Sequence, residues 1–339
     1  PALLRKLPEL EDRIRFYNCD VPIPQYYLYC KGLFPLCRCA VEHEDGRVLA
    51  IRSLEDQWEL EYAAPPLRVM ELSVMRSHLL PLSRRNTLCV RTDAGERAIE
   101  ARDARDLIAQ WNSIMAQEDP DVLLSAHGDS CIIPSLLMLA KRERMPLVLD
   151  REPEHAERAI VRKGRSYFSY GRIAYNAPAY PLFGRWHIDR HNSFIFRETG
   201  LPGLLELARL SRIPVQRLAR TSTGTAITSL QLDLAVRENI LVPWRKGEPE
   251  RFKTAWDLLV CDKGGLVYQP KTGLYEEVAE IDFASMYPAI MVTHNISPET
   301  VLCSCCRNAA VPEIGYNVCE RREGLVPRTL RPILERRAY

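Results

Sequence analysis

Residues 279 to 301 read AEIDFASMYPAIMVTHNISPETV. Ahead of the acid runs Glu277-Val278-Ala279-Glu280-Ile281, whose apolar alternation predicts a short strand that delivers Asp282 at its end. Phe283 to Tyr287 then makes a tight turn, Pro288 closes it, and the apolar stretch Ala289-Ile290-Met291-Val292 follows. A carboxylate held rigidly at a strand end suits a divalent cation, because hard cations such as Mg²⁺ take oxygen ligands. Spacing alone leaves a second reading open, in which Asp282 is an ordinary turn residue.

The longer string narrows this. DFASMYPAI followed by HNISPET resembles the first palm motif of family B DNA polymerases, D-F-x-S-L-Y-P-S-I and then H-N-x-S-P-x-T, at nearly every position. The resemblance implies that Asp282 is one of two metal-bridging aspartates and that the Phe283 carbonyl is a further ligand for a pair of Mg²⁺ ions. It also implies that the backbone amides of Ala284, Ser285 and Met286 line a triphosphate. Tyr287 then lies beneath the deoxyribose as a steric gate.

Outward from this motif, the fold class expected is α/β and α+β multidomain. Residues 1–65 read as a small mixed domain, in which PQYYLYCKGLFPLCRCAVE is expected to form two strands joined at Lys31-Gly32. Cys37 and Cys39 share one face of such a strand, and with Cys30 they are expected to be packing residues, not metal ligands. Residues 66–212 read as an α/β domain: a strand over Leu67–Met75, a helix over Ala104–Gln117, a strand over Asp121–Ser125, a helix over Pro134–Lys141, and strands within 161–175. Residues 213–274 are a connector whose helix spans Ala226–Glu238. Residues 275–339 are a partial palm leading into the start of the fingers.

The order of these segments is similar to the amino-terminal, 3′-5′ exonuclease and palm domains of the same family, so the second segment is expected to be ribonuclease-H-like. That nuclease clamps two cations about 4 Å apart with carboxylates. Here Ser73-Val74-Met75 stands where the family carries Asp-x-Glu, and Ile132 stands where it carries the next Asp. Glu71, Asp129 and Asp189 are the acids left nearby, and the third motif's Tyr-x-x-x-Asp helix is missing before Leu204-Leu205-Glu206-Leu207-Ala208. The expectation is a nuclease fold without proofreading activity. His127, His187 and His191 are expected to be solvated or core histidines.

In the connector, Arg220 to Gly224 resembles the S-R-x-S-T-G segment of the family, and Lys263-Gly264-Gly265 resembles its template-contacting Tyr-x-Gly-Gly loop, with Asp262 at the Tyr position. Arg220, Lys263, Gly264 and Gly265 are therefore the expected DNA contacts. Arg217, Arg237, Arg245 and Lys246 add local positive charge. Globally the balance is even, 46 basic against 44 acidic residues for a net charge of +2, so any DNA surface must come from such clustering.

Eleven cysteines without a secretory cue point to a reducing cytoplasm, in a prokaryotic nucleoid if the resemblance holds. Beyond the motif, Cys303, Cys305, Cys306 and Cys319 leave three outcomes. Free thiols are the expectation. A four-cysteine zinc site is one alternative, although a second C-x-x-C is lacking. The other is a disulfide from Cys305 or Cys306 to Cys319, implied by the cysteine pairs of thermophilic relatives.

No apolar run reaches transmembrane length. The family's fingers motif K-x-x-x-N-S-x-Y-G and its palm D-T-D do not occur in the sequence. The resemblance thus implies a polymerase that binds primer-template DNA and dNTPs once a downstream segment or second polypeptide supplies fingers, second aspartate and thumb, with a sliding clamp as a further partner. By itself the chain is expected to be inactive. The rival readings are a non-catalytic replisome scaffold and a residual metal-dependent exonuclease.

Overall fold

The computed structural model describes residues 15–19, 21–79, 82, 86–152, 164–169, 172–176, 178–244, 252–262, 264–265 and 268–338. They divide into two compact units, one built from residues 27–229 and the other from 1–26 with 230–339. These units cut across the four segments expected from the sequence.

In chain order the elements begin with α1 (Ile23–Lys31), β1 (Cys39–Glu44), β2 (Arg47–Ser53), β3 (Val69–Val74), β4 (Leu88–Thr92) and β5 (Gly95–Ala98). Then come α2 (Ala104–Glu118), β6 (Val122–Ser125), a π-helical turn over Gly128–Ile132, α3 (Ile133–Glu143), β7 (Arg165–Ser169), β8 (Arg172–Asn176) and β9 (Trp186–Asp189). The remainder is helical: α4 (Phe194–Ser211), α5 (Val215–Leu218), α6 (Thr223–Arg237), α7 (Ala255–Cys261), α8 (Met286–Thr293) and α9 (Leu325–Ala338).

The larger unit is organised by a five-stranded sheet of order β5-β4-β3-β6-β9. Strands β5, β4 and β3 are antiparallel neighbours, while β6 and β9 continue in parallel. That mixed order is the ribonuclease-H-like arrangement expected from the sequence. Strand β6, parallel to both its neighbours, reads Val-Leu-Leu because parallel strands are covered on both faces. Leu123 joins Met70, Leu72, Trp111 and Ile133 on one side. Val122 and Leu124 join Ile188, Ile195 and Leu204 on the other. Asp103 caps α2 by accepting from the Asp106 amide, and buried Trp111 donates its indole N–H to the Val148 carbonyl at 2.9 Å.

Two expected strands are corrected. The first, at the start of PQYYLYCKGLFPLCRC, is helix α1. Its aromatic residues carry strand propensity, but propensity yields to burial context. Gln25 and Tyr29 lie one helical turn apart and are buried together, and the Tyr29 hydroxyl lies 2.6 Å from Ser229 Oγ. Gly32 ends the helix with φ +64°, as an αL cap does. The strand of this region is β1, which pairs with β2 through Asp45-Gly46, both at positive φ as a type I′ hairpin turn requires. This hairpin and the β4–β5 hairpin were not read from the sequence.

The second correction concerns residues 277–281, which form no strand. Val278 is 76% and Ile281 95% exposed, and no neighbouring strand among the described residues supplies a ladder for them. An isolated extended segment has neither hydrogen-bond partner nor covered face, so the apolar alternation alone does not make one.

Candidate active site and the residues around it

The segment 276–283 enters α8 as irregular, exposed chain. At its end the Asp282 carboxylate accepts from the Phe283 amide at 2.8 Å, and that is its sole hydrogen bond among the described residues. Ser285 turns the chain with φ +51° and ψ +43° and serves as the helix N-cap without a side-chain cap bond. The first amides of α8 are thus uncapped by a side chain, and a helix start presents partial positive charge to anions. Arg337, in the last turn of α9, donates to Ser285 Oγ at 2.6 Å and adds a full positive charge beside that start. Sequence reasoning missed Arg337, because only the packing of α9 beside α8 brings it there. The Tyr287 ring is 69% and Phe283 77% exposed.

The second half of the motif, HNISPET, is a structural brace. Asn295, with φ +53°, donates to the Cys319 and Arg322 carbonyls at 2.8 and 2.9 Å and accepts from the Gly324 amide at 2.7 Å. Thr300 Oγ1 donates back to the Asn295 carbonyl at 2.6 Å, and Ser297 Oγ binds Glu299 at 2.7 Å. Glu299 accepts from the Leu325 amide at the start of α9, where an acid also complements the helix dipole. Burial pushes its carboxyl up, but the Ser297 hydroxyl and the Leu325 amide outweigh that and hold it below the usual range. Gly324 must be glycine, since a Cβ there would lie 2.4 Å from Ser297 Cβ. The motif therefore docks α9 against α8 and fixes where Arg337 stands.

The nuclease-like centre is filled. Asp189 accepts from the amides of His127, Asp129 and His191 at 3.2, 2.9 and 2.9 Å. Asp129, fully buried, is gripped by Arg220 through Nε and Nη2, each at 3.1 Å, and accepts also from the Tyr180 amide and the Asn192 side chain. Burial pushes Asp129 up, yet the Arg220 charge and the surrounding donors outweigh it and hold it below the ordinary carboxylate range. Glu71 pairs with Arg91 and Arg190. Ser73 and Met75 offer no carboxylate, and Ile132 is wholly buried. Guanidinium groups and backbone amides occupy the lone pairs that a pair of cations would need.

Arg220 is thereby corrected as a DNA contact. Its guanidinium also donates to the His187 and Gln216 carbonyls at 2.9 and 3.1 Å, and its side chain is 9% exposed, so it is spent inside the fold. Gly264, with φ +62°, and Gly265 are exposed, and a Cβ at either meets nothing within 4 Å. Lys263, Arg245 and Lys246 lie outside the described residues.

Of the three histidines, His187 is buried, His127 half-buried and His191 exposed, the solvated or core settings expected. His187 Nε2 lies 2.7 Å from Ser125 Oγ and its Nδ1 2.9 Å from the Tyr180 carbonyl, all with no solvent path. With Asp129 this superficially matches a Ser-His-Asp set, but the Nδ1 proton is directed to Tyr180 and the hydroxyl is sealed, so no nucleophile is presented. His127 is stacked between His78 and His191, with ring centroids 3.7 and 4.0 Å away.

The Sγ atoms of Cys303, Cys305, Cys306 and Cys319 all lie within 4.8 Å of one another. Among the described residues no helix is long and apolar enough to cross a membrane.

Residues 213–339 match the family model described as DNA polymerase family B. The DNA polymerase of Thermococcus litoralis is 26% identical over 383 residues, spanning 99% of this chain and 22% of the relative. DNA polymerase 1 of Pyrococcus abyssi is 26% identical over 386 residues, spanning 99% of this chain and 48% of the relative. The chain thus spans about half or less of the length of these curated relatives. The fold is similar to that of the family B DNA polymerase from the hyperthermophilic archaeon Pyrobaculum calidifontis, with a TM-score of 0.69 and 24% identity over 95% of this chain and 49% of that one. From residue 213 onward the chain is similar to DNA polymerase family B, and along 99% of its length it is similar to archaeal DNA polymerases.

Proposed function

We propose that this chain forms the first catalytic half of a family B DNA-directed DNA polymerase that works without proofreading. The observation that carries the reading is Asp282, an exposed carboxylate with one hydrogen bond, standing next to a helix start whose amides lack a side-chain cap and beside the Arg337 guanidinium. The Asp282 carboxylate and the Phe283 carbonyl are hard oxygen donors and fit Mg²⁺. Two such ions, when bound, supply activation of the primer hydroxyl and neutralisation of the leaving pyrophosphate.

The chain's own residues do the positioning. The amides of Ala284, Ser285 and Met286 donate to the triphosphate of an incoming dNTP at the helix start. Arg337 adds charge there once it releases Ser285. Tyr287, exposed on the first turn of α8, packs beneath the sugar and excludes a 2′-hydroxyl. Gly264 and Gly265, with Lys263, let the backbone approach the template closely. A second polypeptide or further segment supplies fingers, second aspartate and thumb. Primer-template DNA is the partner, with a sliding clamp as a further one, and the place of action is the prokaryotic nucleoid, in replication or repair. The nuclease-like unit serves as scaffold, its acids committed to internal partners, so the protein degrades no single-stranded DNA with Mg²⁺ or Mn²⁺.

The test is primer extension by the completed enzyme. Asp282→Asn is expected to lower turnover by orders of magnitude while DNA affinity persists, and a variant extending primers near the wild-type rate would sink the assignment. Tyr287→Ala is expected to admit ribonucleotides far more readily; unchanged sugar discrimination removes the steric gate. A wild type that binds DNA but extends nothing favours the scaffold reading instead.

A further inference from the structure

The loop between the end of HNISPET and α9 gathers four thiols from a surface excursion of the chain. Leu302 turns at φ +56°, and the next turn brings Cys303, Cys305 and Cys306 round to one point. Cys319 arrives from the returning side, whose Val318 bridges Val301 and whose amide donates to the Thr300 carbonyl at 2.9 Å. Three ligands thus come from C-x-C-C and one from the return.

The sulfur geometry separates the outcomes left open by the sequence. Cys305 Sγ lies 3.8 Å from Cys306 Sγ and 3.6 Å from Cys319 Sγ. A disulfide requires about 2.05 Å. Four sulfurs around one metal at about 2.3 Å form a tetrahedron with edges of about 3.8 Å. The two short separations match such an edge, and all four sulfurs lie within 4.8 Å of one another.

A second observation is the ring of donors aimed at the sulfurs. The Glu320 amide donates to Cys306 Sγ at 3.4 Å, and Asn317 Nδ2 to Cys303 Sγ at 3.4 Å. Asn317 also ties the carbonyls of Cys303 and Cys306 at 2.9 and 3.0 Å, and Asn308 clamps Val318 from both sides at 3.0 Å. Such outer contacts orient thiolates and disperse their charge around a metal. Arg307, Arg321 and Arg322 flank the ligands in sequence and offset the two negative charges of a four-thiolate zinc centre.

We propose that Cys303, Cys305, Cys306 and Cys319 bind one structural Zn²⁺ as a closed tetrahedral site. Zn²⁺ enters, four S–H bonds are replaced by four Zn–S bonds, four protons leave, and no electron is transferred. All four positions belong to protein, so the site holds structure and performs no chemistry of its own. Its consequence is local. Asn295 of the motif binds the Cys319 and Arg322 carbonyls, so fixing Cys319 fixes the brace that docks α9 beside α8 and holds Arg337 at the helix start. A tetrahedral sulfur site accepts zinc or iron chemically, and the test separates them.

The 339-residue chain, purified under reducing conditions without chelator, is assayed for zinc and iron by inductively coupled plasma mass spectrometry. One zinc per chain is expected, retained in Cys37→Ser and lost in Cys305→Ser and in Cys319→Ser. Exchange into Co²⁺ should give the intense sulfur-to-cobalt absorption of a tetrahedral four-thiolate site. If the serine variants fail to fold, the wild type still decides the matter. Alkylation read by mass spectrometry should spare these four cysteines until a chelator is added, and then modify all four. Iron in place of zinc, a disulfide involving Cys319, or four thiols alkylated equally with and without chelator would each overturn the site.

Discussion

Two regions of this chain hold aspartates of interest, and those aspartates have opposite surroundings. Around the sheet of the larger unit, Asp129 and Asp189 are buried and every bond they accept comes from the fold itself. At the start of α8, Asp282 is exposed and holds a single backbone bond. A carboxylate saturated by arginine and amides stabilises a structure. A carboxylate left open to solvent contributes almost nothing to stability and is available for a ligand. The same residue type thus marks a retired site in one region and a candidate active one in the other.

The largest expected effect tests the retired site. Arg220→Met keeps much of the side-chain length but leaves Asp129 buried beside a neutral thioether. Removing one partner of a buried ion pair costs about 3–5 kcal/mol. Chemical denaturation should register that loss, and hydrogen exchange should place it in β6, β9 and α5. A loss under about 1 kcal/mol would mean that Arg220 is not the group that keeps Asp129 charged. It would then return to the surface arginines available for DNA.

Acid should discriminate the two regions next. Burial holds His187 down to about 4, with the Asp129 charge working against it. Burial, then the charges of His191 and His78, hold His127 down to about 4. Both rings are neutral in the fold, while the unfolded chain takes up protons below about 6.5. Stability contributed by a depressed histidine is therefore full above that value and falls as pH drops toward 4. For fully buried His187 the loss by pH 5 is about 2 kcal/mol. Exchange of the β6 and β9 amides should accelerate from pH 7 to 5 once intrinsic rates are corrected. Flat protection of those amides over that range would contradict the buried, neutral histidines.

How much of this was legible follows the same division. The strand Asp121–Ser125, the helix at Ala104 and the missing nuclease acids could be read directly, because a doubly covered strand and an amphipathic helix write their burial into consecutive residues. Arg220 was misread because a basic residue in a polar stretch looks identical whether it faces water or a buried aspartate 91 positions away. The strand at 277–281 was misread for the complementary reason: alternation records a preference, and the partner that would satisfy it is absent from the described residues. Arg337 was beyond local reading, since it acquires its role from a residue 52 positions distant. At the candidate site Asp282 to Tyr287 could be named from the motif, whereas the brace made by Asn295, Ser297 and Thr300 emerged only from the hydrogen bonds.

The smallest expected effect is the sharpest form of the comparison, because it is the same substitution with nothing to lose. Asp282→Asn removes a charge that no basic side chain among the described residues pairs with, and its one bond, from the Phe283 amide, can be accepted equally by the amide oxygen of asparagine. No cavity opens, no buried donor is stranded, and no helix cap is lost, since Ser285 and not Asp282 precedes α8. Substitutions at exposed positions away from such features stay within about 0.5 kcal/mol. The metal-free chain carrying Asp282→Asn should therefore unfold in denaturant at the wild-type midpoint. Asp189→Asn leaves one oxygen for the amides that donate to Asp189 and turns an NH₂ group toward at least one of them, so it should shift the midpoint clearly downward. If the two variants lose stability equally, Asp282 is bound into the structure as firmly as Asp189, and its availability to metal and nucleotide fails with that result.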